Sequence, residues 1–217
     1  MRRTPATRGD ETRKKLVDAA VRLFATLGYH AVSTREIARA AGVNPAAIGF
    51  HFKGKEGLYT AVIDTMVETF RDICTPMVAV IDDNIKACAG DRLRLRELTR
   101  KAADQFLSAA TRTEWSRWLG ILLQREYVDP TNAFETIYTK LIEPVLEAIE
   151  RLVQAATGPE ETPLHRLRVC CIMAQLTNLG GDRAILRRRF GRKLDAPEML
   201  AALVAVVTEG VCGLLGL

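Results

Sequence analysis

The chain has 217 residues, 48% of them hydrophobic and 26% charged, with 31 Lys and Arg against 26 Asp and Glu. That length suits one large domain or a small domain joined to a larger one, and the mixed charge with high apolar content excludes a disordered chain. No unbroken apolar run approaches the about twenty residues of a spanning helix, so no membrane segment is expected, and MRRTPATRGDETRKK lacks the apolar stretch of a secretory signal.

Charge is placed unevenly. Residues 1–57 hold 11 Lys and Arg against 5 Asp and Glu, and residues 58–217 hold 20 against 21. A basic head on a near-neutral body points to a polyanionic partner. Five cysteines occur without a CxxC pair, and an odd number cannot all pair within one chain, so a reducing cytoplasm is the expected location.

Apolar positions recur at helical spacing from end to end, which predicts an all-α protein. In 10–27 they are Leu16, Ala19, Ala20, Leu23, Phe24 and Leu27, with Asp10 as candidate N-cap and Gly28 as C-terminal stop. Ser33-Thr34-Arg35-Glu36 fits a capping box, and the helix it opens ends at Gly42. Asn44-Pro45 then starts a third helix that runs to about His51. Two short helices joined by Gly42, Val43 and Asn44 make a helix-turn-helix. A longer fourth helix follows Lys53-Gly54-Lys55-Glu56, and Pro76 is expected to interrupt or kink it.

The stretch LVDAAVRLFATLGYHAVSTREIARAAGVNPAAIGFHFKGKEGLYTAVI resembles the DNA-binding domain of TetR-family transcriptional regulators. The resemblance rests on Gly28-Tyr29, Ser33-Thr34, Ile37-Ala38, Ala41-Gly42-Val43, His51-Phe52 and Lys55-Glu56. It implies a three-helix DNA-binding domain at 1–54 and a larger helical effector-binding and dimerisation domain at 55–217. Gly49 departs from the family's pattern, which has Tyr there.

In a helix-turn-helix the second short helix enters the major groove. Arg35 is placed to pair with a guanine edge, and Thr34 to offer a phosphate its hydroxyl and amide. Pro45, Ala46 and Gly49 present methyl groups and bare backbone, suited to thymine methyls and close approach. The resemblance implies that Phe50 packs on the sugar–phosphate edge and that His51 donates to a phosphate. Phe50 also reads as a core residue, and Phe52 can fill that role instead. Lys55, at the positive end of the fourth helix, is the best phosphate candidate. Arg2, Arg3 and Arg8 form a basic arm.

Further helices are expected over 91–110, 114–127, 131–156, 163–181 and 196–215, with Pro144 kinking the third of these. The last helix is apolar nearly all round, so it is expected to be buried on most sides. The resemblance implies a homodimer through the helices near 163–181 and 196–215, and a ligand cavity in the body. Phe106, Trp118 and Tyr138 are the candidate lining residues, for a small hydrophobic or amphipathic effector. Arg125-Glu126 with Asp129-Pro130 also resembles the ligand domain of the CecR-like branch; the pair also reads as an internal ion pair fixing a helix end. The basic cluster 185–193 reads as a solvated loop or helix end.

No G-x-S-x-G, P-loop, H-E-x-x-H or C-x-x-C occurs, so no enzyme activity, metal or cofactor is expected. The expected function is a repressor that binds a palindromic double-stranded DNA operator and is released by its effector. The rivals are a regulator without a small-molecule effector, which a filled core would favour, and a ligand carrier with a degenerate head.

Overall fold

The computed structural model describes residues 8–88, 90–110, 113–159, 162–180, 188–191 and 196–217, and every extended regular element among them is a helix. Helix α1 (Arg8–Leu27) buries Leu16, Val17, Ala20, Val21 and Phe24 on one face, the spacing of an amphipathic helix. Arg8 is already helical, so Asp10 lies in the first turn and is not the N-cap. An acidic residue there still complements the positive helix end.

The α2 start forms as expected. Ser33 caps α2 (Thr34–Ala41): its amide donates to Glu36 Oε2 at 2.8 Å, and the Glu36 amide donates to Ser33 Oγ at 3.2 Å. Gly42, at φ +67, ends the helix in the left-handed conformation that glycine adopts without penalty. Asn44 Oδ1 accepts from the Ala46 amide at 2.9 Å and opens α3 (Ala46–Phe52). Phe24, Ile37, Ala38, Ile48, Phe52 and Leu58 close the small core of this head.

Helix α4 (Lys55–Cys88) runs 34 residues from head into body. Pro76 does not interrupt it, contrary to the sequence expectation. Pro76 and Asp72, whose carbonyl loses its amide partner, both lie on the exposed side, where water replaces the missing bond.

The body continues with α5 (Arg92–Ala110) and α6 (Glu114–Val128), the latter capped by Thr113. The single helix expected over 131–156 is in fact three pieces: α7 (Phe134–Ile137), a π-helical turn (Tyr138–Ile142) and α8 (Glu143–Thr157). The Glu143 amide reaches back to the Tyr138 carbonyl. This wider turn makes room for the Pro144 ring, which would clash with a carbonyl four residues back.

Helices α9 (Pro163–Gly180) and α10 (Pro197–Leu215) complete the chain. By length and composition alone α10 is apolar enough to cross a membrane, a test that the core helix of a soluble protein also passes; Thr208 and Glu209 break its apolar run. One side of α10 docks along α5, with contacts to α8 and α9, as a core helix does. Val204, Val207, Val211 and Leu215 are buried there, whereas Ala202, Ala205 and Val206 are exposed. Within one protomer, then, α10 is not buried on most sides. Helix α9 also leaves an apolar edge open, with Leu164 and Leu167 exposed.

Candidate nucleic-acid interface and effector cavity

Helix α3 has two faces. Ile48 and Phe52 enter the core, while Pro45, Ala46, Gly49 and Phe50 share the exposed side. Phe50 is 84% exposed, which removes the core reading for it, and Phe52 is the core aromatic. An exposed phenyl ring in a seven-residue helix leaves apolar area in water, so burial against a partner is favourable. Open space surrounds Gly49, so this face rises little above the backbone there.

Polar and basic groups begin the helices before and after α3. Thr34 and Arg35 begin α2; Arg35 is exposed and Thr34 half-buried. Lys55 begins α4, and its ammonium stands 4.4 Å from the Tyr29 ring centroid. That cation–π contact holds the ammonium at the ring face. His51 is half-buried, its ring edge-on to Phe50 at 5.0 Å. Lys53, which the motif reading passed over, is exposed at the end of α3 with φ +60. Arg2 and Arg3 and most of the cluster 185–193 lie outside the described residues.

Inside the body lies a narrow cavity of about 40 Å³. Phe70 and Cys74 of α4, Phe106 of α5, Gln124 and Tyr127 of α6, and Met173 of α9 are among its walls. Burial pushes both the Cys74 thiol and the Tyr127 hydroxyl up to about 12, so both stay protonated near neutral pH. Of the three lining residues expected from sequence, only Phe106 lines this cavity. Gly120, Leu123, Gln124 and Tyr127 set the inward face of α6, and Trp118, about 200° from Gly120 at 100° per residue, is turned away. Its indole donates to Glu114 at 3.2 Å. The π-helical turn shifts the register so that Leu141, Ile142 and Val145 line the cavity, and Tyr138 packs beside Phe134 instead.

Arg125 and Glu126 do not pair with one another as an internal ion pair. Arg125 donates to the Ala25 carbonyl through Nε at 2.7 Å and to the Thr26 carbonyl through Nη2 at 2.6 Å. Glu126 is 1% exposed. It accepts from the Tyr59 hydroxyl, from the Thr131 amide at 3.0 Å and from the Thr131 hydroxyl. Burial, and then the Glu126 carboxylate, hold the Tyr59 hydroxyl far above its ordinary range. Tyr59 packs edge-on to Phe24 at 5.0 Å and tilted on Tyr29 at 4.6 Å, so the end of α6 is tied into the head.

Known proteins match both parts of this architecture. Residues 16–62 match the family model described as bacterial regulatory proteins, tetR family. Residues 95–215 match the C-terminal domain of the HTH-type transcriptional dual regulator CecR. The chain is similar to that dual regulator from Shigella flexneri, 30% identical over 151 residues, covering 70% of this chain and 67% of the relative. It is also similar to the HTH-type transcriptional activator FasR of Mycolicibacterium smegmatis, 34% identical over 163 residues, covering 75% and 67%. In fold it is similar to a TetR-like transcriptional regulator from Rhodococcus sp. RHA1, with TM-score 0.64 and 19% identity over 97% of this chain and 100% of that one. A helix-turn-helix with an exposed α3 face and a regulator-type body are thus joined in one polypeptide, and the chain belongs to the TetR family of DNA-binding transcriptional regulators.

Proposed function

We propose that this regulator binds a near-palindromic operator as a homodimer and is released by a small hydrophobic or amphipathic molecule entering the body. The observation that carries the reading is the exposed side of Pro45, Ala46, Gly49 and Phe50, with Arg35 and Lys55 at the starts of the helices before and after it. In this reading residues 1–54 are the DNA-binding domain and 55–217 the effector-binding and dimerisation domain, acting in the cytoplasm. Arg35 reads a base edge. Thr34, His51 and Lys55 hold phosphates, and Phe50 covers the sugar–phosphate edge. The open apolar faces of α9 and α10 meet the same faces of a second copy, which sets two heads about 34–36 Å apart for successive major grooves. Repression is the default sign of the switch. Because the relatives' names include an activator and a dual regulator, operator position decides it.

A second reading has a specific observation behind it. The cavity, at about 40 Å³, is far below the roughly 300–1,000 Å³ of ordinary ligand pockets. A regulator controlled by abundance or by a protein partner needs no larger space.

The test is a fluorescence-anisotropy titration against DNA flanking the protein's own gene, at two salt concentrations. Tight, salt-sensitive binding to one fragment is expected. Arg35→Ala should cost about 1–3 kcal/mol, and Lys55→Ala should lower the salt slope by about one. Binding to no fragment more tightly than to random DNA, in this region and across a genomic library, refutes the reading and moves the carrier alternative forward.

A further inference from the structure

The link between α6 and the head goes beyond packing. Helix α1 carries no basic residue in its own last turn, so its C-terminal carbonyls and the negative end of its dipole need a cation from elsewhere. Arg125 supplies it from 99–100 residues away, bonding the Ala25 and Thr26 carbonyls. Gly28 makes the passage: a Cβ there would stand 3.2 Å from Arg125 Nη1. The next residue, Glu126, is buried and holds the Tyr59 hydroxyl of α4. Gln124 and Tyr127, immediately on either side of the pair, line the cavity. One turn of α6 thus touches the cavity, α1 and α4 together.

We propose that Arg125 and Glu126 are positioning residues that set the angle of the DNA-binding head on the body, so that the cavity wall and the head move as one unit. The proposal rests on the operator-binding dimer described above. A head held at one angle places its recognition helix at one spacing from its mate. A loosened head still binds a half-site but discriminates less between spacings.

The full-length protein, Arg125→Gln, Arg125→Lys and Glu126→Gln are compared in two assays, with Arg35→Ala as a control. The first is hydrogen exchange of amides 25–33, which needs no DNA. Arg125→Gln is expected to raise exchange there by about tenfold or more, Arg125→Lys by less, and Arg35→Ala not at all. The second is anisotropy against the operator and the same operator lengthened by two base pairs between half-sites. Wild type is expected to favour the native spacing by about tenfold or more, and Arg125→Gln by about threefold or less. Unchanged exchange together with unchanged spacing preference overturns the proposal. So does an equal loss on both operators with a general loss of melting temperature, which marks a mere strut. If wild type prefers no operator, the reading under Proposed function fails, and the exchange arm alone decides what Arg125 does.

Discussion

Tyr59→Phe isolates one hydrogen bond. The substitution keeps a ring that is 6% exposed and packed on Phe24 and Tyr29, and removes only the hydroxyl donated to Glu126. Glu126 is left buried, with the Thr131 amide and hydroxyl as its remaining donors. A hydrogen bond to a charged group contributes about 1.5–3 kcal/mol, and two surviving donors place this one near ~2 kcal/mol. For a chain of about this size each kcal/mol moves the melting temperature by about 2–4 °C, so a fall of about 4–8 °C is expected. The scan must hold protein concentration fixed, because the proposed dimer would add to apparent stability. In a Glu126→Gln background the same substitution should cost about half as much or less, since the charge is gone. The wild type also has an alkaline signature. Folding raises the Tyr59 pKa, so its stabilisation is fully present below the ordinary tyrosine value of about 10 and is lost as pH rises beyond it. The stability gap between wild type and Tyr59→Phe should therefore narrow above that pH. A change under about 1 °C, with no narrowing at high pH, refutes the assignment of this contact as a junction between head and body.

Three other outcomes are open to simple assays. Cys170 and Cys171 are exposed on α9 of the protomer, and Cys74 is buried with its thiol pushed up to about 12. If the proposed dimer forms through this face, iodoacetamide should modify Cys170 and Cys171 slowly at high protein concentration and faster on dilution, while Cys74 stays unmodified; concentration-independent labelling argues against an interface on this face. Val206→Glu places a charge on the open side of α10, and sedimentation should shift from dimer to monomer with helix content retained. Hydrogen bonds from Ser33 hold the Glu36 carboxyl below its ordinary value. Its contribution to α2 is therefore present above the ordinary carboxylate range and lost as pH falls through the lowered value; Ser33→Ala should flatten that acid dependence in a circular-dichroism titration.

The head was legible because its signals are local. A serine and a glutamate three residues apart, a glycine at the required left-handed φ and an asparagine before a proline each report on a neighbour within one turn. Long-range partners were not legible. Nothing around Arg125 in the sequence names Ala25 and Thr26 as its acceptors, so an ion pair with adjacent Glu126 was the natural local reading. The lining of this cavity was hard to read for a related reason. An aromatic at helical spacing says that a face is at least partly covered, but not what it meets; Trp118 and Tyr138 are half-buried and lie away from this cavity. Pro76 and Pro144 both lie on exposed helix faces, yet the chain accommodates them differently: α4 runs through Pro76 unbroken, whereas a π-helical turn precedes Pro144.

The narrowness of the cavity bears on how any effector would act. A space of about 40 Å³ takes only a few waters, so a drug-sized molecule binds there only by moving a wall. Of the walls, α4 is held by extensive packing on α5 and α8, whereas α6 packs more extensively on α1 of the head than on α4 or α9 of the body. Helix α6 is thus a wall tied chiefly to the head, and α1 is the neighbour it would carry with it through Arg125 and Glu126. A ligand can shift the head only by its differential affinity for the open and closed cavity, ordinarily about 1–3 kcal/mol. Under this reasoning Gly120→Leu, which thickens the α6 wall from within, should weaken operator binding in an otherwise wild-type protein. The effect should largely vanish when Arg125→Gln has already uncoupled the head. Equal loss in both backgrounds would mean that the wall and the head are not joined through this contact.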